Sequence, residues 1–376
     1  MAVPFMSLYV TQYLHRSASD AGLIITLFGV GSIAGASTGG HLTDKIGYRP
    51  VQILSAMIGG SLFLVFAAIT HFSTLCLLSL IISFFTEAFR PANFTATAAY
   101  AKEGTQTRSY SLNRFAMNIG WAVGTSLGGI LASIDYRLLF VVDGSINIIA
   151  GLCILWWLPS AKAHVKKMKE KLATAIVRRP WQDAIFIRFI LVTTLFATCF
   201  FLMFRVAPLF FKEVWNMNES LIGLILALNG IIIALFEMVM ISKIEKRRAP
   251  LQFAIIGSAF LGISFLFLIL PSSVSILASL LSMILFTVGE MFALPFINTF
   301  VISRTDELNR GKYAASYTVC WSFAQVVGPA GGFYLAEKTS YAFLWVLLFV
   351  FLIVCGFGYH FLHHRAKAEK TLLATY

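Results

Sequence analysis

Apolar runs of about twenty residues recur from one end of this chain to the other, separated by short polar segments. Each is long enough to cross the roughly 30 Å hydrocarbon layer of a bilayer. Backbone in lipid must satisfy its own polar groups, so runs of this length and number predict transmembrane helices rather than open strands. Twelve are predicted, over residues 1–14, 19–39, 50–70, 75–100, 111–133, 138–159, 185–211, 220–241, 250–270, 275–301, 314–336 and 341–362. Composition fits only that solvent: 58% of residues are hydrophobic and 12% charged, against about 25% charged in soluble domains.

The net charge of +12 could point to nucleic acid, and the placement of the basic residues decides against it. On one side of the predicted spans lie only Arg16, Arg137, Lys212 and Lys338. The other side holds twenty-one basic residues, clustered at 45–49, 102–108, 162–179, 243–248, 304–312 and 365–370. This positive-inside asymmetry predicts a multi-pass inner (plasma) membrane protein with both termini cytoplasmic, and it requires no nucleic acid partner. Cys76, Cys153, Cys199, Cys320 and Cys355 all fall within predicted spans and imply no disulfide framework. Residues 1–14 lack the basic start and small-residue cleavage site of a signal peptide.

The two halves superimpose at an offset of about 200 residues, an internal duplication common in transporters. Pro50-Val51-Gln52 matches Pro250-Leu251-Gln252, and Gly124-Thr125-Ser126-Leu127-Gly128 matches Gly328-Pro329-Ala330-Gly331-Gly332. The predicted organisation is an N-terminal six-helix bundle (1–159), a basic cytoplasmic linker (160–184), a C-terminal six-helix bundle (185–364) and a cytoplasmic tail (365–376). The linker reads as a solvated connection or as a helix drawn to anionic head groups. Pro208 aligns with Pro4, yet residues 185–207 precede the former and three residues the latter, so the first helix is expected to be truncated at its N-terminus by about 20 residues.

Between the second and third predicted spans, residues Gly39 to Pro50 form a short polar loop. It reads either as a plain positive-inside turn or as a motif, with Gly47 permitting a tight turn and Asp44 able to meet a helix N-terminus or an arginine. The segment resembles the G-x-L-x-D-x-x-G-x-R signature of the major facilitator superfamily, matched at Gly40, Leu42, Asp44, Gly47 and Arg49. That resemblance implies an all-α membrane protein of the major facilitator fold, two six-helix bundles working by alternating access. In it, Asp44 would act as a gating latch near residues 310–314. The second-half counterpart, Lys243 to Arg248, has lost the glycines and reads as degenerate.

Gly31, Gly35 and Gly39 recur every four residues, as do Gly120, Gly124 and Gly128, giving two helices smooth stripes for close approach. The second stripe also resembles the G-x-x-x-G-P-x-x-G-G motif of drug antiporters in that superfamily, with Thr125 in place of the proline; Gly328 and Pro329 are its second-half relatives. These similarities imply a bacterial drug:proton antiporter of the multidrug efflux type.

Ionisable residues inside spans are the sharper functional signal, since each costs roughly 2.5–3.5 kcal/mol on insertion scales. Glu87 and Arg90 lie three apart on one helical face, followed by Pro91; Glu290 is followed by Pro295. Each proline frees a carbonyl, which is tolerable only toward protein or a water-filled cavity. Glu87 with Arg90 reads as a structural pair. Glu290, without a partner on its own helix, reads as a proton-coupling or cation-binding carboxylate, or as one bonded to polar neighbours. Arg114 and Asn118 stand one turn apart, and Asn298 lies further along the helix of Glu290; with Glu290, Glu87 and Arg90 they are candidates for a proton-coupling or substrate cavity. Arg114, Arg205 and Glu237 are expected to snorkel at membrane interfaces. Phe292, Phe296 and Trp321 are candidates for an adaptable apolar pocket.

Together these residues predict a secondary active transporter, not an enzyme, exporting amphipathic or cationic small molecules in exchange for protons. It would use no cofactor or metal beyond the proton gradient and work as a monomer in the bilayer. Proton-coupled transport of a sugar, peptide or other metabolite is one alternative, and a non-transporting membrane scaffold or receptor another.

Overall fold

The computed structural model describes residues 6, 9–16, 18–101, 105–158, 179–217, 219–306 and 309–374, and within them there is no strand. Its long helices are α1 (Ala18–Ile46), α2 (Tyr48–Ala68), α3 (Phe72–Tyr100), α4 (Gln106–Ile134), α5 (Tyr136–Trp157), α6 (Ala184–Arg205), α7 (Ala207–Glu213), α8 (Glu219–Ile244), α9 (Pro250–Leu266), α10 (Ser275–Ser303), α11 (Arg310–Lys338) and α12 (Tyr341–Ala374).

Several expected boundaries shift for local reasons. The polar loop at 39–50 is not a loop: α1 runs on to Ile46, Gly47 alone leaves the helix at φ 93°, and α2 begins at Tyr48. Nothing between Gly39 and Ile46 breaks a helix, and the positive φ is one that glycine adopts at little cost. The span expected over 185–211 bends where Val206 separates α6 from α7, with Pro208 in the first turn of the second piece. The tail expected from 365 is a continuation of α12 as far as Ala374. Of the short first span, Tyr9–Tyr13 form a π-helical turn; Pro4 lies outside the described residues, as do most of the linker (159–178) and Lys102.

Nine stretches among the described residues are long and apolar enough to cross a membrane. The helices over the predicted spans 111–133 and 314–336 are not among them, because α4 and α11 carry polar residues along much of their length. Their polarity has a structural use, described below.

The chain divides into two compact units, one of Met1–Tyr100, Ile119–Arg179 and Thr305–Ser322, the other of Ala101–Asn118, Pro180–Arg304 and Phe323–Tyr376. The start of α4 thus groups with the C-terminal half of the sequence and the start of α11 with the N-terminal half.

In the first unit, α1 packs most closely on α3, and glycine is the reason. A Cβ at Gly35 would collide with the Phe84 carbonyl, one at Gly39 would lie 2.5 Å from the Ala88 carbonyl oxygen, and one at Gly31 would strike Leu80 and Ser83. The stripe of small residues therefore sets how near the two backbones come. Met6, Tyr9 and Val10 fill the end of this core with Phe63, Phe66 and Phe140; the Tyr9 and Phe140 rings meet edge to face at 4.8 Å. In the second unit, Gly257 of α9 and Gly289 of α10 make a matching close approach: a Cβ on Gly289 would lie 2.7 Å from the Gly257 oxygen. The second predicted stripe differs. A Cβ at Gly120 would meet nothing within 4 Å, whereas Gly328 on α11, one residue before Pro329, faces Thr198 and Leu202 of α6.

Candidate functional site

Glu290 occupies the turn of α10 held by Gly289 against α9. Successive residues of a helix point about 100° apart, so this contact turns the carboxylate away from α9. It reaches two other helices. Asn229 Nδ2 of α8 donates to its Oε2 at 2.7 Å and also to Thr287 Oγ1 at 3.0 Å. Arg114 Nη2 of α4 meets its Oε1 at 2.9 Å. The same Nη2 lies 3.3 Å from Oε2 of Glu237 on α8, whose Oε1 accepts from Ser111 at 2.8 Å. Glu290 and Glu237 are 5% and 1% exposed.

These contacts overturn one expectation. Arg114 and Glu237 do not snorkel; Glu237 is buried, the Arg114 side chain is 11% exposed, and the two pair with each other. Glu290 has no partner on its own helix, and its cation comes from a residue 176 positions away in sequence. Arg205, by contrast, is exposed and borders a cavity of about 560 Å³ together with Pro208, Leu209, Lys212 and Phe333.

The seam continues along one face of α4. Thr107 Oγ1 and Thr299 Oγ1 of α10 are 2.8 Å apart. Arg108 Nε reaches Glu245 Oε1 at 2.7 Å, and its Nη2 donates to the Ser242 carbonyl at 3.3 Å. Positions 107, 111, 114 and 118 recur at three and four residues, the spacing of one helical face. That spacing was the available sequence signal for Ser111; Glu237, on α8, lies outside it, and both were missed as site residues. The Lys243–Arg248 segment, though its glycines are gone, contributes Glu245 to the start of α4.

Asp44 and the start of α11 meet within the first unit. Gly311 N donates to Asp44 Oδ1 at 2.5 Å and Lys312 N to Oδ2 at 2.9 Å. First-turn amides have no partner inside their own helix, and the positive end of the helix dipole favours an anion there. Gly40 makes the approach possible, since a Cβ there would strike Ala315 and lie 2.5 Å from the Gly311 oxygen. Arg49 reaches the Leu155 carbonyl at the end of α5 with an Nη2–O distance of 2.6 Å.

The remaining candidates belong to both units. Glu87 and Arg90 pair at 3.0 Å in the first unit, whereas Glu290 belongs to the second. Pro91 and Pro295 recur 204 residues apart, and in each case the threonine one turn on, Thr95 or Thr299, donates to the proline carbonyl at 2.9 Å. Phe292 and Phe296 stack on Phe253, Phe296 at 4.1 Å, in a cluster between α8, α9 and α10. Trp321 lies against Tyr317, edge to face, in the first unit. Asn298 is half-buried on α10, and its Oδ1 has no hydrogen-bond partner among the described residues.

A multi-pass helical protein with charged networks buried among its helices, and an internal repeat that places related prolines in matching helices, has the makings of a membrane transporter. Residues 1–329 match the family model of the Major Facilitator Superfamily, and the chain belongs to that family. It is similar to a Na(+), Li(+), K(+)/H(+) antiporter of Planococcus maritimus, 24% identical over 97% of this chain and 92% of that protein. It is also similar to the class D tetracycline resistance protein of Salmonella ordonez, 23% identical over 88% of this chain and 83% of that protein. Among solved structures, the human organic anion transporter MFSD10 (TETRAN) matches the fold with a TM-score of 0.73 at 14% identity, covering 94% of this chain and 88% of that one. The protein is a transporter, not an enzyme.

Proposed function

We propose that this transporter exports cationic, amphipathic small molecules in exchange for protons, with the Arg114–Glu237–Glu290 network as the exchange site. The observation that carries the reading is the charge of that network. One guanidinium lies between two buried carboxylates, so with all three ionised the group holds one negative charge in excess. Uncompensated charge at low dielectric is strongly disfavoured. A proton on either glutamate removes it, and so does a monovalent cation drawn against them. Because both neutralise the same charge, they exclude one another, and mutual exclusion at one site is the linkage that drives antiport.

The positions of the contacts suggest how occupancy reaches the rest of the molecule. Arg114 ties α4 to α8 and α10 while both glutamates are anionic; neutralising one weakens its hold on that helix, and Ser111, Arg108 and Thr107 lie further along the same face. The surplus of basic residues at the ends near Asp44, Arg108, Glu245 and Lys312 supports a cytoplasmic location for those ends. A cation/proton antiporter and a drug-resistance protein among the relatives agree with this reading.

The test is substrate-induced proton movement in proteoliposomes holding the purified protein. Adding a lipophilic cation such as ethidium to the native chain is expected to displace protons, and Glu290→Gln, which keeps the shape and the acceptor but not the charge, to lose that signal. Undiminished proton movement in Glu290→Gln would end the assignment.

A further inference from the structure

Two donor atoms on this stretch of α4 remain without a hydrogen-bond partner among the described residues, although both are buried: Arg114 Nη1 and Asn118 Nδ2. Arg114 has committed Nη2 to the glutamates, leaving Nη1 on the other arm of the fork. Asn118 stands one turn further along α4 on the same face. Buried donors left unmet are destabilising, so paired ones beside a cation site point to something that accepts from them.

We infer that this face of α4 is the second half of the substrate site. The transported compound would carry an uncharged acceptor oxygen, a ketone, amide or hydroxyl, within roughly 6 Å of its cationic centre, the spacing of one helical turn. The inference rests on the reading of Glu237 and Glu290 as a cation site. Charge then decides which acceptor fits. A cation cancels the single negative excess of the network; a carboxylate on the same molecule would restore it. A neutral oxygen accepts from Arg114 and Asn118 and leaves the site neutral. Asn118 is accordingly a specificity-determining residue, sorting cations that bear such an oxygen from those that do not. Its rejection of the latter follows from leaving buried donors unpaired, the mechanism by which polar sites discriminate against analogues that lack a hydrogen-bonding group.

Two permanent cations that differ by one ketone oxygen isolate the effect: (4-oxo-4-phenylbutyl)triphenylphosphonium and (4-phenylbutyl)triphenylphosphonium. Binding of each to the purified full-length protein is measured by quenching of tryptophan fluorescence, with proton displacement followed in parallel. The ketone-bearing cation is expected to bind about tenfold more tightly to the native chain. In Asn118→Leu the ratio of the two affinities is expected to fall toward one, and in Asn118→Ser, which keeps a donor, to fall only in part. Equal affinities in the native chain overturn the inference and leave the cation site standing. Failure of both cations to bind or displace protons overturns both. A ratio that survives in Asn118→Leu assigns the preference elsewhere and overturns the role of this residue. Because the first comparison needs only the native protein, the outcome does not depend on whether a variant folds.

Discussion

Asp44 commits both carboxylate oxygens to amides of a helix that begins 266 residues later, and the closeness of that junction depends on two glycines. A Cβ on Gly40 would strike Ala315, and one on Gly311 would lie 2.5 Å from Asp44 Oδ1 and from the Gly40 oxygen. Asp44→Asn keeps the outline but removes the charge that the helix dipole favours, and its amide nitrogen would face an N–H in place of an acceptor. The loss is expected to be about 1–2 kcal/mol, read as a lower melting temperature of the purified protein together with a several-fold drop in export. Gly311→Ala should cost at least as much, since overpacking at backbone contact typically costs about 1–3 kcal/mol. Equal melting temperatures for native and Gly311→Ala proteins would refute the steric argument. Gly47 acts differently: its value is the φ of 93°. Gly47→Ala is strained by its own backbone, by about 1–2 kcal/mol, whatever space surrounds it.

At the scale of the helix, α4 shows what the sequence made legible and what it hid. Apolar length located most of the helices, because a segment must be long enough to span the bilayer whatever it packs against. The resemblance to the family signature placed Gly40, Asp44, Gly47 and Arg49 in one motif, and the repeat matched Pro91 with Pro295. Glu290 stood out because a mid-span carboxylate needs a reason. Its pairing with Arg114, another candidate, did not, since the two lie on different helices and only the fold joins them. The stacking of Phe292 and Phe296 on Phe253 was hidden on the same ground: aromatic residues look alike in sequence whatever they pack against. Boundaries such as Ile46 failed because polarity was taken to end a helix that had no breaker in it. The ion pair of Arg108 with Glu245 is half exposed on the arginine side, so its direct contribution to stability is small. Its proposed importance lies in holding the start of α4. Arg108→Glu or Glu245→Arg alone is therefore expected to lower export several-fold, and the two together to recover much of it, as a charge swap should for a pair that interacts directly. Export in the double variant no better than the product of the two single losses would show that the contact is not what matters.

For the molecule as a whole, the charge of the exchange site sets the electrical character of transport. If a proton and a monovalent cation each cancel the same single negative excess among Arg114, Glu237 and Glu290, one cycle carries one charge outward and one inward. Such exchange is electroneutral. A pH gradient then drives it and a membrane potential does not, whereas a site accepting two protons per cation would move one net charge per cycle and respond to both. Proteoliposomes separate the cases: with potassium and valinomycin clamping the potential, a pH gradient is imposed at zero potential, and a potential of about 100 mV is imposed at zero pH gradient. That potential is worth about 2.3 kcal/mol per elementary charge, enough to raise accumulation nearly fifty-fold if a single net charge moved. Accumulation of a monovalent lipophilic cation is expected to follow the pH gradient and to stay flat with the potential. A clear potential dependence would mean that a second titrating group takes part, and Glu87, which pairs with Arg90 in the other unit, would be the first residue to replace.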